Sequence, residues 1–173
     1  MLRELRIEDA LGMYSWMQDV SITRSFDKDF SKYTIIDCED YIKQSIKSYN
    51  RIKPLDINYA IVNDNDEYKG TVSLKHINYD VKCAEFAIVL VGEAHGSGLA
   101  KIAFEDIMQY GFEKLWLDFI YFSCKKDNIV ANKFYSKTNA ELINVDKLVK
   151  KLRGGVEGYN ISLSTLYWYM VYK

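Results

Sequence analysis

Residues 85–98 read EFAIVLVGEAHGSG and run directly into LAKIAFEDIMQYGFEK, residues 99–114. The first part, through Val91, is a bulky apolar strand. The last part places Ala100, Phe104, Ile107, Met108, Gly111 and Phe112 on one helical stripe. A strand that ends in a Gly-containing loop at a helix N-terminus leaves backbone N–H groups unpaired at the positive end of the helix dipole. That combination suits phosphate. Gly96 and Gly98 fit either a close approach of pyrophosphate or a turn that simply needs glycine, and two glycines alone do not choose. No GxGxxG is present, since Ala100 and Lys101 stand where a third Gly would fall, and no GKS or GKT closes a P-loop. Hydride transfer and nucleotide hydrolysis therefore lose support.

Working outward, the 173 residues fit one domain, with no Pro-rich linker, repeat or low-complexity tract to divide them. Lys and Arg number 23 against 24 Asp and Glu, so no basic field points to nucleic acid or an anionic membrane. The longest apolar run, residues 86–91, is too short to cross a bilayer. Charges in the opening MLRELRIED occupy the place of a signal peptide's apolar stretch, which leads to the expectation of a cytoplasmic protein. Cys38, Cys83 and Cys124 form no CxxC pair, and His76 and His95 stand far apart, so neither a disulfide framework nor a metal centre is expected.

Leu2, Leu5 and Ile7 predict a first strand, followed by a helix carrying Leu11, Tyr14 and Trp16. Residues 19–33 read as a loop or broken helix, and a second helix runs from Thr34 to about Tyr49. After Pro54 the period falls from about 3.6 to 2. Three strands follow, with turns at residues 63–66 and 78–80. Past the long helix come a strand over residues 117–124, a short helix over 128–137, and two β segments over 142–149 and 162–172. This order predicts an α+β domain of three layers, α/β/α, around a mixed sheet.

The segment GEAHGSGLA resembles the acyl-CoA-binding loop of the GNAT superfamily of N-acetyltransferases. Gly96 and Gly98 match that loop's two small positions, while Glu93 departs from its usual Gln or Arg. DNIVANKFYSKTNAE, residues 127–141, resembles the family's second motif, an Asn-started helix ending in Tyr. Asn128 and Tyr135, two helical turns apart, project from nearly the same side. In element order the resemblance spans nearly the whole chain. It is nearest the branch of ribosomal-protein alanine, spermidine and nucleotide-amino-sugar acetyltransferases.

The resemblance implies a mostly antiparallel GNAT-type sheet with helices on both faces, acetyl-CoA as co-substrate, and direct acetyl transfer to an amine. The cofactor would pair with the backbone of Ile88, Val89 and Leu90, and its pyrophosphate would rest on the N–H groups of Ala94, His95, Gly96, Ser97, Gly98, Leu99 and Ala100. Tyr135 is implied as the acid for the departing thiolate, and Glu85 as the base for the acceptor ammonium. A plain surface Glu beside Lys82 is the other reading of Glu85. Asn128 either starts the helix as its N-cap or also meets cofactor, and Asn132 is a further cofactor candidate. Lys125 and Lys126 either meet the cofactor's ribose phosphate or are an ordinary solvated pair. A covalent role for Cys124 is rejected, because no His lies near it in sequence.

For the acceptor, Arg24, Phe26, Asp27, Asp29, Phe30 and Tyr33 offer aromatic faces and carboxylates to an amine, or form a partly buried loop. Lys147, Lys150, Lys151 and Arg153 offer a basic patch to the diphosphate of a nucleotide-linked amino sugar, or a solvated tip. The open acceptors are a small amine of either kind and a protein N-terminus. A catalytically silent CoA-binding module is the competing class. Tyr167, Trp168, Tyr169 and Tyr172 leave a homodimer through the last strand open.

Overall fold

The alternation after Pro54 produces β2 (Ile57–Val62), β3 (Tyr68–Asn78) and β4 (Cys83–Leu90) in antiparallel succession. A computed structural model, describing residues 1–26, 28–152 and 165–173, joins them with β1 (Leu2–Glu4), β5 (Phe119–Lys125), β6 (Glu141–Ile143) and β7 (Leu166–Tyr172). The sheet order is β1-β2-β3-β4-β5-β7-β6, and β4–β5 is its one parallel pair. The mixed, mostly antiparallel architecture predicted from sequence is present.

Side-chain alternation divides the core between the two faces. Ala84, Phe86 and Leu90 of β4, with Ile120 and Phe122 of β5, pack with α4 (Leu99–Glu113) and α5 (Ile129–Tyr135). Phe86 and Phe104 meet edge to face at 5.3 Å, as do Phe86 and Phe122 at 5.2 Å. Truncating a buried Phe of this kind to Ala costs about 3–5 kcal/mol. The opposite face carries two separate clusters. One joins α1 (Ala10–Met17), α2 (Val20–Thr23) and α3 (Ile35–Tyr49) to β2, and the other joins α6 (Val145–Lys151) to β5 and β7.

Two expectations need correction. Residues 142–149 are not one strand: β6 stops at Ile143, and Asn144 caps α6 by accepting from the Asp146 N–H at 2.8 Å. Val145, Leu148 and Leu152 form a helical stripe on that cluster, a period of 3.6 that outweighs the β-branched residues flanking it. The first strand also ends early, at Glu4, and residues Ile7–Asp9 form a 3-10 turn. Residues 19–33 contain α2, capped by Asp19, so the broken-helix alternative holds there. The start of the last predicted β segment, 162–164, lies outside the described residues, as do Arg153 and Asp27. β7 itself lies between β5 and β6, with Trp168 and Tyr169 buried, so most of its aromatic surface is core. No described helix is long and apolar enough to cross a membrane.

Candidate active site

The pairing of β4 changes halfway along its length. Cys83, Ala84 and Glu85 pair in parallel with Phe119, Ile120 and Tyr121, and there the ladder ends. β4 continues to Leu90 against β3 alone, while β5 continues to Lys125 against β7 alone. The two strands therefore splay beyond Glu85. Among the described residues, the backbone of Ile88, Val89 and Leu90 has no strand neighbour on the side away from β3, so it offers hydrogen-bonding groups to whatever enters the gap.

At the mouth of the gap the chain turns through a 3-10 turn (Gly92–Ala94) into α4. Gly96 and Gly98 have φ of +81° and +87°, left-handed values that cost an L residue roughly 1–2 kcal/mol. No atom lies within 4 Å of a Cβ built on either, so torsion and not crowding requires glycine within this chain. Ser97 Oγ accepts from the Leu99 N–H at 3.3 Å, and Gly98 O accepts from the N–H groups of Lys101 and Ile102. The N–H groups of Gly96, Gly98 and Ala100 find no acceptor among the described residues, and they gather at the positive end of a fifteen-residue helix. This cradle fits a pyrophosphate. Ala94 is buried under the loop, and His95 is exposed near the carboxylate of Asp19, whose pKa it helps lower after the hydrogen bonds from Ser21. Glu93, the departure from the family pattern, is held by Lys69, Nζ to Oε1 at 2.5 Å, with Lys69 also paired to Glu67 at 3.3 Å. Lys69 had no place in the sequence reading, because it enters from β3.

Across the gap, Asn128 caps α5 by accepting from the Ala131 N–H at 3.0 Å. Asn132 is fully engaged with protein groups. Its Nδ2 donates to the carbonyls of Lys125, Lys126 and Asn128, and its Oδ1 accepts from Cys124 Sγ and the Tyr169 hydroxyl, each at 3.0 Å. It clasps α5 to the end of β5 and to β7, and thereby places Tyr135 one turn later. Tyr135 is 6% exposed and packs on Phe122 at 4.6 Å, Phe134 at 5.2 Å and Phe86 at 6.4 Å. Burial, with smaller contributions from Cys124 and Tyr169, holds its phenol well above the usual range, so it keeps its proton at neutral pH. Burial likewise pushes the Cys124 thiol up to about 11, which makes it a poor nucleophile.

Glu85 lies on the other face, between the two clusters there, with its side chain 19% exposed. Its cross-strand neighbours are Lys75 and Tyr121, and His76 Nε2 stands 3.6 Å from its Oε2. The sequence reading considered Lys82 as its neighbour and missed His76. On the same face of the sheet, Trp16, Phe26, Phe30 and Tyr33 form a ring cluster with centroids 5.3–6.1 Å apart. Lys28 Nζ sits 4.5 Å from the Tyr33 centroid and 5.5 Å from that of Phe30, a cation over the rings. Asp29 accepts from Ser31 in an exposed turn. Lys125 Nζ donates to the carbonyls of Arg24 and Phe26 and so ties this loop to β5, and Lys126 lies over the Tyr167 ring. The basic patch is partly spent: Lys147 and Lys151 both lie over Tyr172, and Lys147 pairs with Glu141 at 3.7 Å. Among the described residues no group of three or more His, Cys, Asp or Glu could hold a metal ion.

A spermidine N(1)-acetyltransferase of Escherichia coli K12 is 38% identical over 77 residues, and the match spans 44% of this chain and 41% of that relative's length. The crystal structure of a spermidine N-acetyltransferase from Vibrio cholerae in complex with CoA and spermine has the same fold, with a TM-score of 0.76 at 20% identity over 99% of this chain and 94% of that one. A dodecameric structure of the Vibrio cholerae enzyme superposes with a TM-score of 0.70 at 19% identity, covering 99% and 92%. The family model for the GNAT acetyltransferase domain matches residues 1–141. With that match over most of its length, and with a sheet that parts at Glu85 above a glycine loop, the chain belongs to the GNAT acetyltransferase family.

Proposed function

We propose that this protein transfers an acetyl group from acetyl-CoA to a primary amine of a polyamine such as spermidine. One observation carries the reading. Glu85 is the last residue of β4 paired with β5, and the next residue on each strand, Phe86 and Phe122, packs on Tyr135. A carboxylate on one face of the sheet and a protonated phenol on the other thus meet at the point where the strands part. Acceptor and cofactor can then approach from opposite faces.

Acetyl-CoA supplies the activated acetyl thioester. The N–H groups of Gly96, Gly98 and Ala100 would hold its pyrophosphate, and the unpaired β4 backbone its pantetheine arm. Glu85 takes a proton from the acceptor ammonium, directly or through water, which exposes the nitrogen lone pair. Tyr135 gives its proton to the departing sulfur. Asn132 keeps α5 in register with β5 while this happens. No covalent enzyme intermediate is required, in keeping with the high pKa of Cys124.

The polyamine is favoured over the other acceptors by the 38% identical relative, by the carboxylate at the point where the strands part and by rings that already hold the ammonium of Lys28. Of the basic patch that would receive the diphosphate of a nucleotide-linked amino sugar, Lys147 and Lys151 already lie over Tyr172. The test is release of free CoA thiol with spermidine, spermine, a nucleotide-linked amino sugar and an alanine-initiated peptide as acceptors. The expected result is the highest kcat/KM for the polyamines. Preference for the sugar or the peptide overturns the acceptor, and CoA binding without turnover on any amine overturns the activity.

A further inference from the structure

On β5, side-chain alternation puts Tyr121, Ser123 and Lys125 on the face of Glu85, and Phe122 and Cys124 on that of Tyr135. Lys125 therefore looks to the acceptor side. It lies four residues past Tyr121, the last residue of β5 paired with β4, and so about 13 Å along the open part of the gap. There its Nζ donates to the carbonyls of Arg24 at 3.2 Å and Phe26 at 3.1 Å. Arg24 is the C-cap of α2, and the Phe26 ring stacks on Trp16 at 6.1 Å and meets Phe30 edge to face at 5.5 Å. The cluster that holds Trp16 and Phe30 packs in turn against Val89 of β4 and Val91 just beyond it. The segment from Arg24 to Phe26 thus rests on β4 through apolar contact and is tied to β5 through Lys125. It crosses the gap as a strap.

We propose that Lys125 is a positioning residue for the amine: it holds the strap across the acceptor side of the gap, so that the acceptor meets a preformed mouth. This rests on the reading above only in taking the amine to enter on the face of Glu85. The two ends of the strap differ in kind. On the β4 side many weak apolar contacts share the attachment, whereas on the β5 side an ammonium donates to two carbonyls, bonds about twice as strong as neutral ones. Losing the ammonium releases one end and leaves the other packed. A released strap is closed for a smaller fraction of the time, and the apparent affinity for an acceptor that needs it closed falls by that fraction. With the acceptor bound the strap is closed in either case, so turnover at saturation is kept. The glycine loop takes its shape from its own torsions, so the affinity for acetyl-CoA does not follow.

The experiment is steady-state kinetics and hydrogen–deuterium exchange on the wild type, Lys125→Met and Lys125→Arg. Met keeps the unbranched stem without a donor, and Arg keeps a cation with several donors. With spermidine as acceptor, Lys125→Met should raise the acceptor KM about tenfold, the low end of what a hydrogen bond from a charged group is worth, with kcat and the KM for acetyl-CoA nearly unchanged. Lys125→Arg should restore the acceptor KM. Amide exchange over residues 20–26 should rise in Lys125→Met and stay at the wild-type level in Lys125→Arg. An unchanged acceptor KM in Lys125→Met overturns the proposal. So does a raised KM for acetyl-CoA, which would make Lys125 a cofactor contact, and so does a joint loss of kcat and melting temperature, which would make it a general structural residue. The acceptor reading fails separately. If the wild type does not acetylate spermidine, that reading falls and exchange alone judges the strap, with unchanged protection of residues 20–26 in Lys125→Met overturning it.

Discussion

The two ends of the cleft are built from different material. At the glycine loop the proposed cofactor-binding groups are the backbone N–H donors of Gly96, Gly98 and Ala100, set by two left-handed torsions and a helix N-terminus. At the splay point the proposed catalytic groups are side chains from separate elements: Glu85 from β4 and Tyr135 from a helix that Asn132 anchors. The backbone site tolerates changes in side chains as long as its torsions survive. The side-chain site depends on atoms placed by register, so small chemical changes there should have large effects.

The sharpest way to test that contrast is Tyr135→Phe. It removes the proposed proton donor and little buried area, so kcat should fall on the order of 10²-fold with CoA affinity and melting temperature nearly unchanged. An equal loss in CoA affinity would make Tyr135 a packing residue. Next in size is Gly98→Val. Its Cβ has no atom within 4 Å, but the substitution takes a β-branched residue to φ +87°, so CoA binding measured by calorimetry should weaken about tenfold. Unchanged affinity would mean that the loop reaches the cofactor in another conformation. The smallest effect belongs to Glu93→Gln. Removing an exposed carboxylate beside the cradle leaves Lys69 paired with Glu67 alone and should tighten CoA binding about twofold to threefold at low salt. The gain should fade at high salt, where screening weakens exposed charges. Weaker binding would show that the Lys69 tether to β3 matters more than the charge.

The same contrast explains which features were legible from residues alone. The strand, glycine loop and helix of 85–114 lie within one continuous stretch whose period and Gly positions are local, and so does the helix that Asn128 caps. The α6 helix was misread because three β-branched or apolar residues within a short window fit either period, and only packing of Leu148 against β5 and β7 decides between them. His76 was invisible as a neighbour of Glu85, because a bulge shifts side-chain direction and leaves no mark in composition. Lys69 and the clasp around Asn132 likewise depend on partners 24 and 37 residues away in the chain, Glu93 and Tyr169.

By itself, then, the sequence determined the order of most elements, the mixed sheet and the phosphate-type loop, since these follow from short-range periodicity and backbone torsion. Tertiary structure alone decided that β4 and β5 part at Glu85, that Tyr135 is buried against the next residues of both strands, and that Lys147 and Lys151 of α6 lie on aromatic rings. Those outcomes depend on strand register and on desolvation, which exist only once distant segments have packed together.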